Sequence, residues 1–234
     1  MDREFELQRK QNIQSLSDSR DFQEVSRQWM EVSARHNYTY NFSWFGAPII
    51  QFPTDVLMMQ ELIWNVRPDV VLETGVARGG SVCFYASILT LLDLADEQGR
   101  GTGSSGMATS ERRVIGVDID IRPHTHDALA SFPFRDKIQL IQGSSTDSDT
   151  FGQVCEKINA DDKCIVILDS NHTHSHVLRE LELYSAILGS ESFIVVFDTS
   201  IEFDCSEKWE STRDWGPGNS PLSALQEFLD ANPD

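Results

Sequence analysis

The chain has 234 residues, 40% of them hydrophobic, enough for the full core of one α/β domain with or without an extension. Asp and Glu outnumber Lys and Arg by 37 to 19, a formal net charge of −18. Nucleic-acid and anionic-membrane partners need a basic face, so this balance argues against both. No uncharged run reaches the ~20 residues of a membrane span, and the N-terminal MDREFELQRKQN lacks the apolar stretch of a signal peptide. Cys83, Cys155, Cys164 and Cys205 form no C-x-x-C pair, as expected of reduced thiols. The expectation is a soluble, cytoplasmic protein.

Residues 1–40 are polar, with Phe22, Val25, Trp29 and Val32 at three- and four-residue spacing. That spacing predicts a helix from Asp21 to Arg35 packed on the main domain. Tyr38–Pro53, YTYNFSWFGAPIIQFP, is aromatic and irregular and reads as a folded arm over a ligand or an oligomer contact. Asp55 is the expected N-cap of the next helix, which Pro68 ends. The division expected is an arm over 1–54 and a Rossmann-like domain over 55–234.

From Val70 a short β-branched run, a polar turn and a helical stretch recur. Strands are expected at Val70–Leu72, Val114–Val117, Ile138–Ile141, Ile165–Leu168 and Phe193–Phe197, and helices at Ser81–Leu94, Asp147–Asn159 and Ser175–Leu188. The alternation implies a doubly wound, mostly parallel sheet that binds ligands beyond its carboxyl ends. Asp96–Ser110 reads as a mobile loop, and its G-x-G-x-x-G (Gly101, Gly103, Gly106) is a decoy, since it follows a helix and precedes a strand. Five strand candidates fall two short of a seven-stranded sheet, so the chain is expected to be truncated at its C-terminus.

VVLETGVARGGS (Val70–Ser81) is the stretch the fold turns on. Gly75, Gly79 and Gly80 let the backbone approach a ligand, and a helix opening at Ser81 aims free N–H groups at the same place. Glu73 suits a ligand ammonium or hydroxyl and repels phosphate. No Lys-Ser/Thr follows the glycines, so a nucleoside cofactor carrying an amino acid is expected rather than a nucleoside triphosphate. Asp118, ending VIGVD, is placed to hold ribose hydroxyls, with Asp120 the weaker choice. Gln142–Ser145 ends the third strand, where Gly143 and Ser144 would border an adenine. Asp169 ends the fourth strand and Asp198 the fifth; two carboxylates at neighbouring tips suit a hard ion such as Mg²⁺. His172 is a candidate catalytic residue, whereas His174 and His176 read as helix-start residues. His124 and His126 read as a loop beside the cofactor.

SWFGAPIIQFPTD, RPDVVLETGVARGGS, RVIGVDIDIR, IQGSSTD, VILDSNHTHSHVLRELELY and GPGNSPLSALQEFL together resemble the cephalosporin hydroxylase / rhamnosyl O-methyltransferase family, from about Trp44 to Leu229. The resemblance implies a class I methyltransferase fold, S-adenosylmethionine as methyl donor and Mg²⁺ or another divalent ion beside it. By position Glu73, Gly75 and Asp118 match the cofactor motifs, and Asp169 and Asp198 the metal-binding acids. The family often has Glu-Asp at the end of the fifth strand, where this chain has Phe197-Asp198, leaving the third ligand to Thr199, a water or the substrate. No two-His-one-carboxylate triad supports oxygenase chemistry.

The function expected is metal-assisted O-methylation of a sugar or secondary metabolite, with Asp169 and His172 in catalytic roles, Glu73, Gly75, Gly79, Ser81, Asp118, Gly143 and Ser144 holding the cofactor, and Asp169 and Asp198 the metal. The partner expected is a small molecule or glycan, and the aromatic arm suggests a homo-oligomer. The alternatives are an NAD(P)-dependent oxidoreductase and a non-catalytic cofactor-binding protein with a degenerate metal site.

Overall fold

The computed structural model describes residues 2–99, 111–203 and 213–233. Its centre is a five-stranded, all-parallel sheet formed by β3 (Val70–Thr74), β4 (Arg113–Asp118), β5 (Ile138–Gln142), β6 (Cys164–Leu168) and β7 (Phe193–Val196). The spatial order β5-β4-β3-β6-β7 places the first of these strands in the middle. The chain therefore leaves β3 toward one edge and returns to the other side through β6, and the crevice at that reversal is where such sheets bind ligands.

Alternation along each strand builds two cores. Val71, Val114, Ile165 and Ile167 face one way, toward α3 (Pro53–Val66) and α4 (Gly80–Gly99). Val70, Leu72, Ile115, Val117, Val166 and Leu168 face the other, toward α6 (Ser148–Cys155), α7 (His174–Ser185) and α8 (Pro221–Ala231). Strand ends stay in step: Thr74 lies opposite both Val117 and Leu168. The register continues past the strands, with Gly75 N–H donating to Val117 C=O (2.8 Å), Asp169 N–H to Thr74 C=O (3.0 Å) and Phe197 N–H to Leu168 C=O (3.0 Å). Gly75, Asp118, Asp169 and Asp198 are thereby brought abreast along one edge.

The arm holds a small antiparallel hairpin, β1 (Phe42–Trp44) and β2 (Ala47–Ile49), which the sequence reading did not anticipate. It docks on α4: Trp44 Nε1–H donates to Ser87 Oγ at 2.9 Å, and Pro48 C=O lies where a Cβ on Gly80 would come within 2.2 Å. Gly80 is thus required by close approach. Gly80→Ala is expected to cost about 1–3 kcal/mol through forced separation of hairpin and helix, lowering Tm by roughly 2–12 °C in a thermal melt.

Four expectations need correction. Phe52 is the N-cap of α3 and Pro53 its first residue, as proline's fixed φ favours, so Asp55 lies inside the first turn. RPHTHD does not form a loop: α5 (Pro123–Ala130) begins at Pro123 for the same reason. Helix α4 continues through Asp96–Gly99, held by Arg112 Nη1 against Asp93 (2.8 Å) and Asp96 (2.8 Å) and by Arg67 on Asp96; the glycines of the decoy motif lie outside the described residues. Helices α1 (Arg3–Asp18) and α2 (Arg20–Arg35) form, but the α2 stripe of Phe22, Val25, Trp29 and Val32 stays 44–64% exposed. A cleft separates this helix from the strand ends, and Trp29 touches Tyr38 and Phe52 instead of the core. Among the described residues no helix is long and apolar enough to cross a membrane.

Candidate functional site

The turn after β3 is set by backbone demands. Gly75 (φ +89°) and Gly79 (φ +85°) occupy left-handed conformations, and a Cβ on Gly75 would lie 2.0 Å from Asp169 C=O. Asp118 fastens the turn from β4: its Oδ2 accepts from Val76 N–H and Ala77 N–H, both at 2.9 Å, while Oδ1 accepts from Asp120 N–H at 2.9 Å. Gly143 N–H donates to Asp118 C=O (2.9 Å), and a Cβ on Gly143 would meet Thr150 Oγ1 at 2.2 Å. Ser144 Oγ lies 3.1 Å from Thr146 Oγ1.

Glu73 shares the parity of Val71 and so points to the α4 side, where Ser81 Oγ–H donates to its Oε2 at 2.7 Å. It is fully buried, and Oε1 has no hydrogen-bond partner. Burial pushes its pKa up to about 8; the Ser81 hydroxyl and nearby Tyr85 oppose that rise, and the Asp118 charge adds to it. Below the ordinary carboxyl range both folded and unfolded chains hold this proton. Between that range and pH 8 only the folded chain does, so this group's contribution to stability is lost as pH rises. Glu73→Gln keeps an acceptor for Ser81 and removes the ionisation, so its Tm should exceed that of the parent above pH 7, with the gap closing toward pH 4. A pH series of thermal melts checks this.

At the other side of the crevice, Asp169, His172 and Asp198 each offer one ligand atom, all within 4.8 Å of one another. His172 Nδ1 is 3.0 Å from Asp198 Oδ2, and its ring packs 4.9 Å from Trp215. Asp198 adopts left-handed backbone (φ +54°), which Asp tolerates better than most residues. Burial, then the charge of Asp198, then that of Glu73 hold the Asp169 carboxyl well above its usual range, with Gln51 opposing. Two carboxylates and an imidazole supply oxygen donors and one borderline nitrogen, a set suited to a divalent cation. Phe197 packs against the α4-side core, and its phenyl ring has no ligating atom to offer this cluster.

The remaining histidines diverge. His174 Nδ1 is 2.8 Å from Ser223 Oγ and its Nε2 3.0 Å from Glu227 Oε2, pinning α7 to α8. His176 Nε2 lies 3.0 Å from Ser145 Oγ and 3.1 Å from Ser170 Oγ, and Ser170 Oγ–H donates to buried Glu180 at 2.8 Å. That network ties the loop after β5 to the loop after β6, a role the helix-start reading missed.

Two cavities meet here. A small one is lined by residues of the glycine turn, Pro48, Ile50, Gln51 and Asp169. A larger cleft of about 1,230 Å³ runs under α2 past Trp29, Tyr40, Asp55, His172, Asp198 and Trp215. Asp55 stands against it with a raised pKa, through burial and then the charge of Asp198. Gln51 and Asp55 were not anticipated as site residues; they lie in a segment whose place over the strand ends depends on the hairpin.

A family model for rhamnosyl O-methyltransferase/CmcI proteins matches residues 36–234. The chain belongs to this family. Among curated rhamnosyl O-methyltransferase/CmcI relatives, the rhamnosyl O-methyltransferase of Mycobacterium tuberculosis (strain ATCC 25618 / H37Rv) is 26% identical over 182 residues, 77% of this chain and 63% of the relative. That of Mycobacterium leprae (strain TN) is 25% identical over 167 residues, 70% of this chain and 64% of the relative. The chain thus spans less than two thirds of the length of these relatives. Solved structures share the fold: apo CmcI-N160 (TM-score 0.53, 18% identity, 83% of this chain and 67% of that one) and CmcI-D160 with Mg and S-adenosylmethionine (0.52, 17%, 83% and 67%). So does the MycE methyltransferase of the mycinamycin pathway with Mg and S-adenosylhomocysteine (0.50, 19%, 86% and 44%). The expected Rossmann-like, class I methyltransferase architecture is therefore the one observed.

Proposed function

We propose that the protein is an S-adenosylmethionine-dependent O-methyltransferase that uses a divalent cation, Mg²⁺ or a similar ion, and acts on a hydroxyl of a sugar or other small metabolite. The observation that carries this reading is the meeting, at one sheet edge, of the glycine turn (Gly75–Ser81) with the cluster of Asp169, His172 and Asp198. The family's curated members are named for O-methylation of rhamnosyl groups, and fold relatives were solved with Mg and S-adenosylmethionine or its product.

In this reading the glycine turn and α4 N-terminus receive the amino-acid end of the donor, Asp118 faces its ribose, and Gly143 and Ser144 border its adenine. Asp169 and Asp198 hold the cation. The donor supplies an electrophilic methyl group, and the cation lowers the pKa of the acceptor hydroxyl. His172, oriented through Nδ1 by Asp198, accepts the hydroxyl proton at Nε2. The cleft aligns the acceptor oxygen with the methyl carbon, and most of the acceleration comes from that positioning. A second reading makes His172 the third cation ligand, favoured by its distance to both acids and by Phe197 standing where the family often has Glu.

Isothermal titration with S-adenosylhomocysteine, with and without EDTA, tests the proposal. Micromolar binding by the intact protein and EDTA-sensitive methyl transfer to a panel of glycosides are the expected results; absence of nucleoside binding would sink it.

A further inference from the structure

His176, Glu180 and Tyr184 follow one another at four-residue spacing, so they stand one above the next along one side of α7. Two of them grip Ser145, in the loop after β5. The Tyr184 hydroxyl donates to Ser145 C=O at 3.0 Å, and His176 Nε2 lies 3.0 Å from Ser145 Oγ. The same Nε2 lies 3.1 Å from Ser170 Oγ, in the loop after β6.

Proton accounting fixes the direction of this bridge. Ser170 Oγ–H is committed to Glu180 Oε1 at 2.8 Å, so Ser170 Oγ can only accept from His176. The imidazole therefore carries a proton on Nε2, and one N–H is shared between hydroxyls on two loops. Glu180 is fully buried and its Oε2 has no hydrogen-bond partner, so its hold on the network rests on Oε1.

Each loop carries a different half of the site. Ser145 directly follows Gly143 and Ser144, which in the reading above border the donor's adenine. Ser170 directly follows Asp169, which in that reading holds the cation, and it lines the larger cleft. The distance between donor and cation therefore depends on the distance between these loops. A shift of about 0.5 Å in either one takes its hydroxyl out of hydrogen-bond range of Nε2. Methyl transfer responds to misplacement on the same scale, where about 1 Å can cost 10²-fold in rate.

We propose that His176, anchored through Ser170 by Glu180, is a positioning residue of the methyl transfer that sets the spacing between the donor loop and the cation loop. This rests on the function proposed above. His176 touches neither ligand; it acts through Ser145 and Ser170.

The test reads the spacing directly. Mn²⁺ and S-adenosylmethionine labelled with ¹³C in its methyl group are bound together, and pulsed electron–nuclear double resonance measures their dipolar coupling. The parent should give one narrow coupling. His176→Leu should broaden or shift it and lower kcat on any glycoside that turns over by about 10- to 100-fold. Its Kd values for S-adenosylhomocysteine and for Mn²⁺, each titrated alone, should stay within about threefold of the parent, which also shows that the variant is folded. His176→Gln places an amide N–H near the position of Nε2 and should restore the narrow coupling. Should His176→Leu not fold, Ser145→Ala decides: it removes one hydroxyl from the bridge, leaves the main-chain bond from Tyr184, and should broaden or shift the coupling in the same way. An unchanged coupling in either variant overturns the inference and leaves the proposed function standing. So does failure of His176→Gln to restore it, or a loss of both affinities in His176→Leu with the coupling intact, which would mark a packing role. A parent that binds both ligands without methyl coupling, or binds no nucleoside, removes the proposed function and this inference together.

Discussion

Asp169→Asn should lower methyl transfer by about 10³-fold or more, abolish its dependence on added divalent ion, and raise the melting temperature of the metal-free protein. The first two effects follow from charge. Asp169 is one of two carboxylates in the cluster, and an amide of the same shape neutralises it without opening a cavity. The third follows from its surroundings. Burial, Asp198 and Glu73 all oppose ionisation of Asp169, so its carboxyl lies well above the usual range. An acid displaced that way lends stability only while protonated, and the contribution disappears as pH climbs toward its folded-state pKa. Asparagine does not ionise, so the gain in Tm should grow from acid toward neutral pH. A divalent ion reverses the balance for the parent alone: at one hundred times Kd, binding adds about 2.7 kcal/mol, seen as a rise in Tm that the variant lacks. Methyl-transfer assays and thermal melts with Mg²⁺, Mn²⁺ and EDTA check all three. Parent-like, EDTA-sensitive turnover in Asp169→Asn would remove Asp169 from the cation site.

That same environment explains how much of the site was legible in the chain. Val70–Thr74, Arg113–Asp118 and Cys164–Leu168 are short, mainly apolar runs with a polar residue at or just past the end, and a parallel sheet in register carries these ends to one edge. Glu73, Asp118, Asp169 and Asp198 could be proposed because each directly follows an apolar run expected to be a strand. Direction and depth are another matter. Glu73 reads the same whether it faces ligand or helix; its parity with Val71 and the proximity of Ser81 put it under α4. Gln51 carries no periodic signal, since it follows the three-residue strand Ala47–Ile49, too short to show one, and Asp55 reads only as a helix-start acid of α3. The α2 stripe shows the opposite failure: an amphipathic pattern states that a face is apolar without stating what covers it.

The histidine after the fourth strand separates the two readings of the cluster. His172→Ala should lower kcat by 10²–10⁴-fold with metal affinity changed less than threefold, because its Nδ1 is committed to Asp198 at 3.0 Å and Nε2 is the nitrogen left for proton transfer. Trp215 against the ring fixes its plane, and the Asp198 contact fixes which nitrogen is engaged, so the imidazole is positioned before substrate arrives. An Asp–His pair of this kind orients a base. If His172 is instead the third ligand, titration of Mn²⁺ into the variant will show affinity falling tenfold or more while kcat at saturating metal stays within threefold of the parent. In that case the nitrogen donor takes the place that Phe197 vacates, and Mn²⁺ should support turnover better than Mg²⁺, which prefers all-oxygen coordination.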